Sequence, residues 1–221
     1  MVHGGNHAHG RPAARPLGTA SKHGNHRKPH KGTEVNTYWQ LLIFFFAALN
    51  PASAALAMAT RARTTAAPPA WQLAIAGGAI ALALYAATAA GADSFLDALD
   101  IEPESFRVAA GVVMATAGAF AIWRGAPEPV GSDSGFDAAV FPVAIPLLVT
   151  PAGLAAAITY GADDGASKVV VALVIPLVLG VGLITAGSKR LLPALDAVTR
   201  VTGALLVAVA AGLIVDGVRA I

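Results

Sequence analysis

With 56% of its 221 residues apolar and only 13% charged, the chain lacks the roughly one-quarter charged residues that cover a water-solvated domain. The first 36 residues hold seven of the 28 charged side chains and all six histidines, so residues 37 to 221 are close to pure hydrocarbon. There is no cysteine, which excludes a disulfide framework and any thiolate metal or redox site.

Residues 1 to 36 are rich in Gly, His, Pro, Lys and Arg and have almost nothing to bury, the composition of a disordered basic tail. Their histidines lack a fixed metal-binding spacing, and an unstructured segment must lose entropy to build one. No signal-peptide core precedes the first apolar run, which starts near Tyr38 and continues to membrane-spanning length.

Crossing about 30 Å of hydrocarbon takes roughly 20 helical residues, and six windows of that size follow. The first covers about Tyr38 to Thr60 and contains Asn50 and Pro51; the second covers about Ala70 to Gly91. A helix of a soluble bundle would show a polar face, and the second window shows none. An acidic loop, ADSFLDALDIEPE, leads to the third, about Glu104 to Trp123, and the linker RGAPEPVGSDSGFD separates the two halves. The fourth, about Ala138 to Tyr160, contains Pro142, Pro146 and Pro151. The fifth, about Lys168 to Gly187, contains Pro176, and the sixth covers about Asp196 to Gly217. Loop charges place six Lys and Arg on one face against three on the other, but the tail adds six to the second face, so charge leaves the orientation open.

Three spans per half make the second half enter the membrane from the opposite side, the arithmetic of an inverted repeat. Landmarks match in order. LLIFFFAALNPASAALAMAT carries Asn50-Pro51 among small residues, FPVAIPLLVTPAGLAAAITY carries Thr150-Pro151, and Arg107-Val108 in the third span corresponds to Arg200-Val201 in the sixth. The two arginines stand near helix starts, where snorkelling anchors are common. Proline removes a helical hydrogen bond and frees polar backbone that hydrocarbon cannot satisfy. A single membrane proline is commonly a packing kink; two matched breaks meeting at mid-membrane would instead give half-helix N-termini for a carboxylate and free carbonyls for an ammonium.

These stretches, LNPASA, SFRVAAGVVMATAGAFAIW and above all FPVAIPLLVTPAG, resemble the MarC family of integral membrane proteins, whose members include small neutral amino acid transporters; the resemblance covers roughly residues 38 to 221. It implies an all-α membrane protein with six transmembrane helices as two inverted three-helix repeats, broken first and fourth helices around the substrate site, and an outside N-terminus. The repeats would cover about 37–124 and 137–221. Where the family usually has an apolar residue and Gly after its first proline motif, this chain has Ala52 and Ser53; where it usually has Gly-Pro-Gly, it has Thr150, Pro151 and Ala152, with Gly153 one place later. The added β-carbons narrow the room beside the breaks.

The expected function is a secondary transporter or exporter of small neutral amino acids or similar small polar metabolites, in the cell membrane. Its substrate site would be formed by Asn50, Pro51, Ala52, Ser53, Thr150, Pro151, Ala152 and Gly153. The lipid bilayer and a small-molecule substrate are the expected partners; no nucleic acid, cofactor or metal is expected, and homo-oligomerisation is left open. No Asp, Glu or His falls at mid-span, which argues against a carboxylate proton relay and against intramembrane hydrolysis. A channel or a non-transporting scaffold is the remaining alternative.

Overall fold

Proline sets most of the helix boundaries, because the residue before it is pushed out of the helical region while the proline itself suits a helix's first turn. The computed structural model describes residue 1 and residues 31–60, 68–125, 137–186 and 191–221. Helix α1 (Lys31–Leu49) stops before Pro51, and α2 (Pro51–Thr60) starts on it. Helix α3 (Ala70–Ala90) follows Pro69, α5 (Pro103–Arg124) follows an extended Glu102, and α6 (Pro151–Asp164) follows an extended Thr150. The remaining helices are α4 (Ala92–Ala98), α7 (Ala166–Ala186) and α8 (Leu192–Ala220).

Between the linker and α6 lies a π-type segment, Ala139–Leu148, which is not a continuous helix. Phe141 (φ −131°, ψ 121°) and Ile145 (φ −121°, ψ 122°) are both extended, and each precedes a proline. The Ile145–Pro146 peptide is cis.

Five helical stretches are long and apolar enough to cross a membrane: Tyr38–Ala59, Ala70–Ala90, Pro103–Arg124, Ala166–Ala186 and Leu192–Ala220. The π segment and α6, bent by 67° at their junction, make a sixth if taken as one span. Three details differ from the sequence reading. Residues 31–36, assigned to the tail, form the start of α1, since extending an existing helix by a turn costs little; the tail from residue 2 to 30 lies outside the described residues. The acidic loop contains α4, whose Asp93 favours the helix N-terminus and whose Ala92 and Leu96 are buried. The third concerns the fourth span, whose first part is the interrupted segment Ala139–Leu148, while the first span is broken at Asn50 as expected.

Helices α5 and α8 pack antiparallel along a stripe that returns every seven residues. A β-carbon at Gly118 would meet the Gly203 carbonyl oxygen at 2.6 Å, one at Gly111 would meet Ile214 and the Ala210 carbonyl, and one at Gly217 would meet the Glu104 carbonyl. Backbones this close maximise dispersion contact where lipid offers no hydrophobic drive for association. Helix α3 runs against the π segment, where Gly77 faces Val143, and against α7, where Gly78 faces Val181. The core gathers Leu41, Phe45, Tyr85, Met114, Val143 and Leu173. The outside is also apolar: Val112, Ile175, Val178, Val201 and Val218 are each more than half exposed. All three tryptophans, Trp39, Trp71 and Trp123, are exposed near span ends, the placement of an interfacial aromatic belt.

Candidate functional site: two helix breaks joined in one cavity

Asn50 sits between α1 and α2 with φ 44°. Asparagine is one of the few residues that tolerates this left-handed conformation, because its short amide bonds the neighbouring backbone. Here its Oδ1 accepts from the Ser53 N–H at 3.2 Å, capping α2, while its Nδ2 donates to the Thr199 carbonyl of α8 at 3.2 Å. The side chain thus closes the break and anchors it to the sixth span.

Thr150 does the corresponding work at the second break. Its Oγ1 accepts from the Gly153 N–H at 2.9 Å, capping α6, and donates to the Ala48 carbonyl at 3.0 Å. That carbonyl belongs to the last turn of α1, where the change of direction at Asn50 leaves it without its helical partner. One hydroxyl therefore caps its own half-helix and bonds the other broken helix 102 positions away in sequence. The two breaks meet.

A third hydroxyl completes the second break. Tyr85 of α3 is fully buried, donates to the Leu148 carbonyl at 3.0 Å and accepts from the Thr150 N–H at 3.1 Å. These are two backbone groups that an unbroken helix would have satisfied internally. Gly153 leaves room for the ring: a β-carbon there would collide with the Tyr85 hydroxyl. Tyr85 was not among the expected site residues. The signal was present, since a lone tyrosine deep in an otherwise apolar span needs a partner for its hydroxyl.

The breaks open into a cavity of about 860 Å³, within the roughly 300–1,000 Å³ range of small-molecule sites. Of the eight expected site residues, Asn50, Ser53, Thr150, Pro151 and Ala152 line it. Pro51, Ala52 and Gly153 do not: Pro51 is buried facing Gly180, Ala52 is 2% exposed, and Gly153 backs onto Tyr85. Ala47 and Leu147 also line the wall. Their carbonyls cannot receive a helical N–H, because the prolines four residues on, Pro51 and Pro151, have none. The Ala152 amide lies in the first turn of α6, where a helix provides no acceptor. The cavity continues along Ala117, Phe120, Ala121, Arg124 and Gly125 to the C-terminal end of α5. One turn away from it in α1, Phe44 and Phe45 stand edge-on to Tyr160 of α6, with ring centroids 4.7 and 6.3 Å apart.

The two expected anchors are both engaged. Arg107 Nη2 donates to both oxygens of Asp163 at 2.7 Å, tying the start of α5 to the end of α6. Arg200 pairs with Asp196 at 2.9 Å and donates to the Ile122 carbonyl at 2.7 Å, capping the end of α5. Among the described residues no group of three or more His, Cys, Asp or Glu could hold a metal ion.

The model of the MarC family of integral membrane proteins matches residues 35–221. The chain belongs to the MarC family. It is thus a multi-pass membrane protein, and the long exposed apolar faces of α5, α7 and α8 are surfaces for lipid. The match begins just before Tyr38 and takes in both breaks. No curated protein and no solved structure matches this MarC chain.

Proposed function

We propose that this MarC protein is a secondary transporter of small neutral amino acids or similar small polar metabolites, working by alternating access in the cell membrane from two inverted three-helix repeats. The observation that carries the reading is the Thr150–Ala48 hydrogen bond, which joins two broken helices inside one cavity. The repeat is supported by matching chemistry. Asn50 and Thr150 each precede a proline, each caps the N–H three residues on, and each bonds a backbone carbonyl of another span.

The site suits a small zwitterion. Its carboxylate docks at the start of α6, beside the Ala152 amide and the Thr150 hydroxyl, where the helix dipole favours negative charge. Its ammonium is met by the carbonyls at Ala47 and Leu147. A substrate that takes over the bonds Thr150 now makes loosens the link between the two broken helices, and that change in pairing is the step that lets one half rock against the other. The Phe44, Phe45 and Tyr160 cluster closes the route away from α5's C-terminal end, while that end stays open. We read the protein as a carrier rather than an enzyme: among the described residues of the cavity wall no His, Asp or Glu stands beside Asn50, Ser53 and Thr150 to activate a nucleophile.

Proteoliposome counterflow with L-alanine tests this. External alanine accelerates release of internal labelled alanine, and Asn50→Ala or Thr150→Val, each of which removes two side-chain hydrogen bonds at a break, slows it roughly tenfold, with membrane insertion intact. Flux that rises linearly without trans-stimulation, or unchanged kinetics in both variants, overturns the reading.

A further inference from the structure

We propose that Arg124 is a specificity-determining residue of this cavity, selecting solutes that carry a carboxylate and excluding those whose only charge is a cation. The proposal deepens the transport reading and rests on it. Among the described residues sixteen line the cavity, and Arg124 is the single charged one of these. Its guanidinium makes no salt bridge among the described residues. It lies 5.3 Å from the centroid of the Phe120 ring, one turn back on α5, and Phe120 lines the same wall. The cation–π contact ties the charge, exposed at the end of α5, to the Phe120 face that lines the cavity.

Asp196 stands beside Gly125, but its Oδ2 is taken by Arg200 Nε at 2.9 Å, and Asp196 is not part of the described wall. The described wall therefore holds one positive charge and no negative one. A carboxylate passing the mouth gains attraction from Arg124, and a cation is repelled where low-dielectric walls concentrate the field. The sequence reading counted Arg124 only as a loop charge bearing on orientation; its place on the cavity wall gives it a second use.

Purified protein in detergent is scanned for thermal stabilisation by L-alanine, by propionate, which keeps the carboxylate alone, and by ethylamine, which keeps the ammonium alone. Wild type is stabilised by alanine and propionate and not by ethylamine. Arg124→Gln raises the alanine concentration for half-maximal stabilisation about fivefold, the size expected of a partly hydrated ion pair, and abolishes the propionate shift, while Arg124→Lys recovers part of both. Equal stabilisation of wild type by propionate and ethylamine, no stabilisation by any of the three, or an unaltered response in Arg124→Gln overturns the proposal. Carboxylate-selective binding without counterflow in vesicles would sink the transport reading and leave this assignment standing.

Discussion

At the scale of single residues, the second break depends on a steric and polar fit between Tyr85 and Gly153. The tyrosine hydroxyl serves one carbonyl and one amide at once, and the missing β-carbon of Gly153 is what allows the ring to reach them. Tyr85→Phe keeps the shape and orphans both backbone groups, so it lowers stability by about 1–2 kcal/mol. Gly153→Ala forces the ring away and costs about 1–3 kcal/mol by overpacking. Since the two changes strike the same contact, the double variant loses less than the sum of the singles. Denaturation midpoints in detergent for the four proteins give the coupling, and strict additivity would mean that the hydroxyl is not held against Gly153. Thr150 works differently: a glycine at this position would free the backbone but could make neither the cap to Gly153 nor the bond to Ala48.

Among the elements, the span positions were legible because uninterrupted apolar length is a strong signal, and the described helices fall within a few residues of the expected windows, apart from the earlier start of α1 and the longer last helix. The breaks were legible too, since Asn50-Pro51 and Thr150-Pro151 leave backbone groups that a helix cannot satisfy. Less legible was the stretch FPVAIP. Its two prolines were visible, but that they would set Phe141 and Ile145 in extended geometry and interrupt the start of the fourth span is a local backbone effect that apolar length hides. Helix α4 was missed because ADSFLDA reads as polar, whereas its Asp93 favours the helix N-terminus and its Ala92 and Leu96 are buried. The α5–α8 register was also unread, because small residues are frequent all along these spans and only packing tells which of them face a partner. Gly118 is the sharpest test of that register. Gly118→Leu places a side chain against the Gly203 carbonyl and lowers the thermal midpoint in detergent, whereas Gly182→Ala, with nothing within 4 Å, stays within about 0.5 kcal/mol of wild type. Similar losses in both would show that the Gly118–Gly203 crossing is not the close approach described.

For the whole molecule, the arrangement concentrates its polar chemistry in one interior place and leaves the outside to lipid. Asn50, Thr150 and Tyr85 bind four different spans to one another around the breaks, so polar groups freed by proline are satisfied by neighbours beside the cavity. The transport reading makes access one-sided: the wall extends toward the end of α5 and Arg124, whereas Phe44, Phe45 and Tyr160 pack against one another on the other side of the breaks. The absence of cysteine makes this directly measurable, since any introduced thiol is the only one in the protein. Ser53 is the natural probe, being half-buried on the cavity wall immediately after the first break. In oriented vesicles, Ser53→Cys should be alkylated by a membrane-impermeant maleimide from the face where α5 ends, faster than from the other face, and L-alanine should slow that reaction. Equal labelling from both faces, or a rate indifferent to alanine, would contradict a solute site built between the two helix breaks.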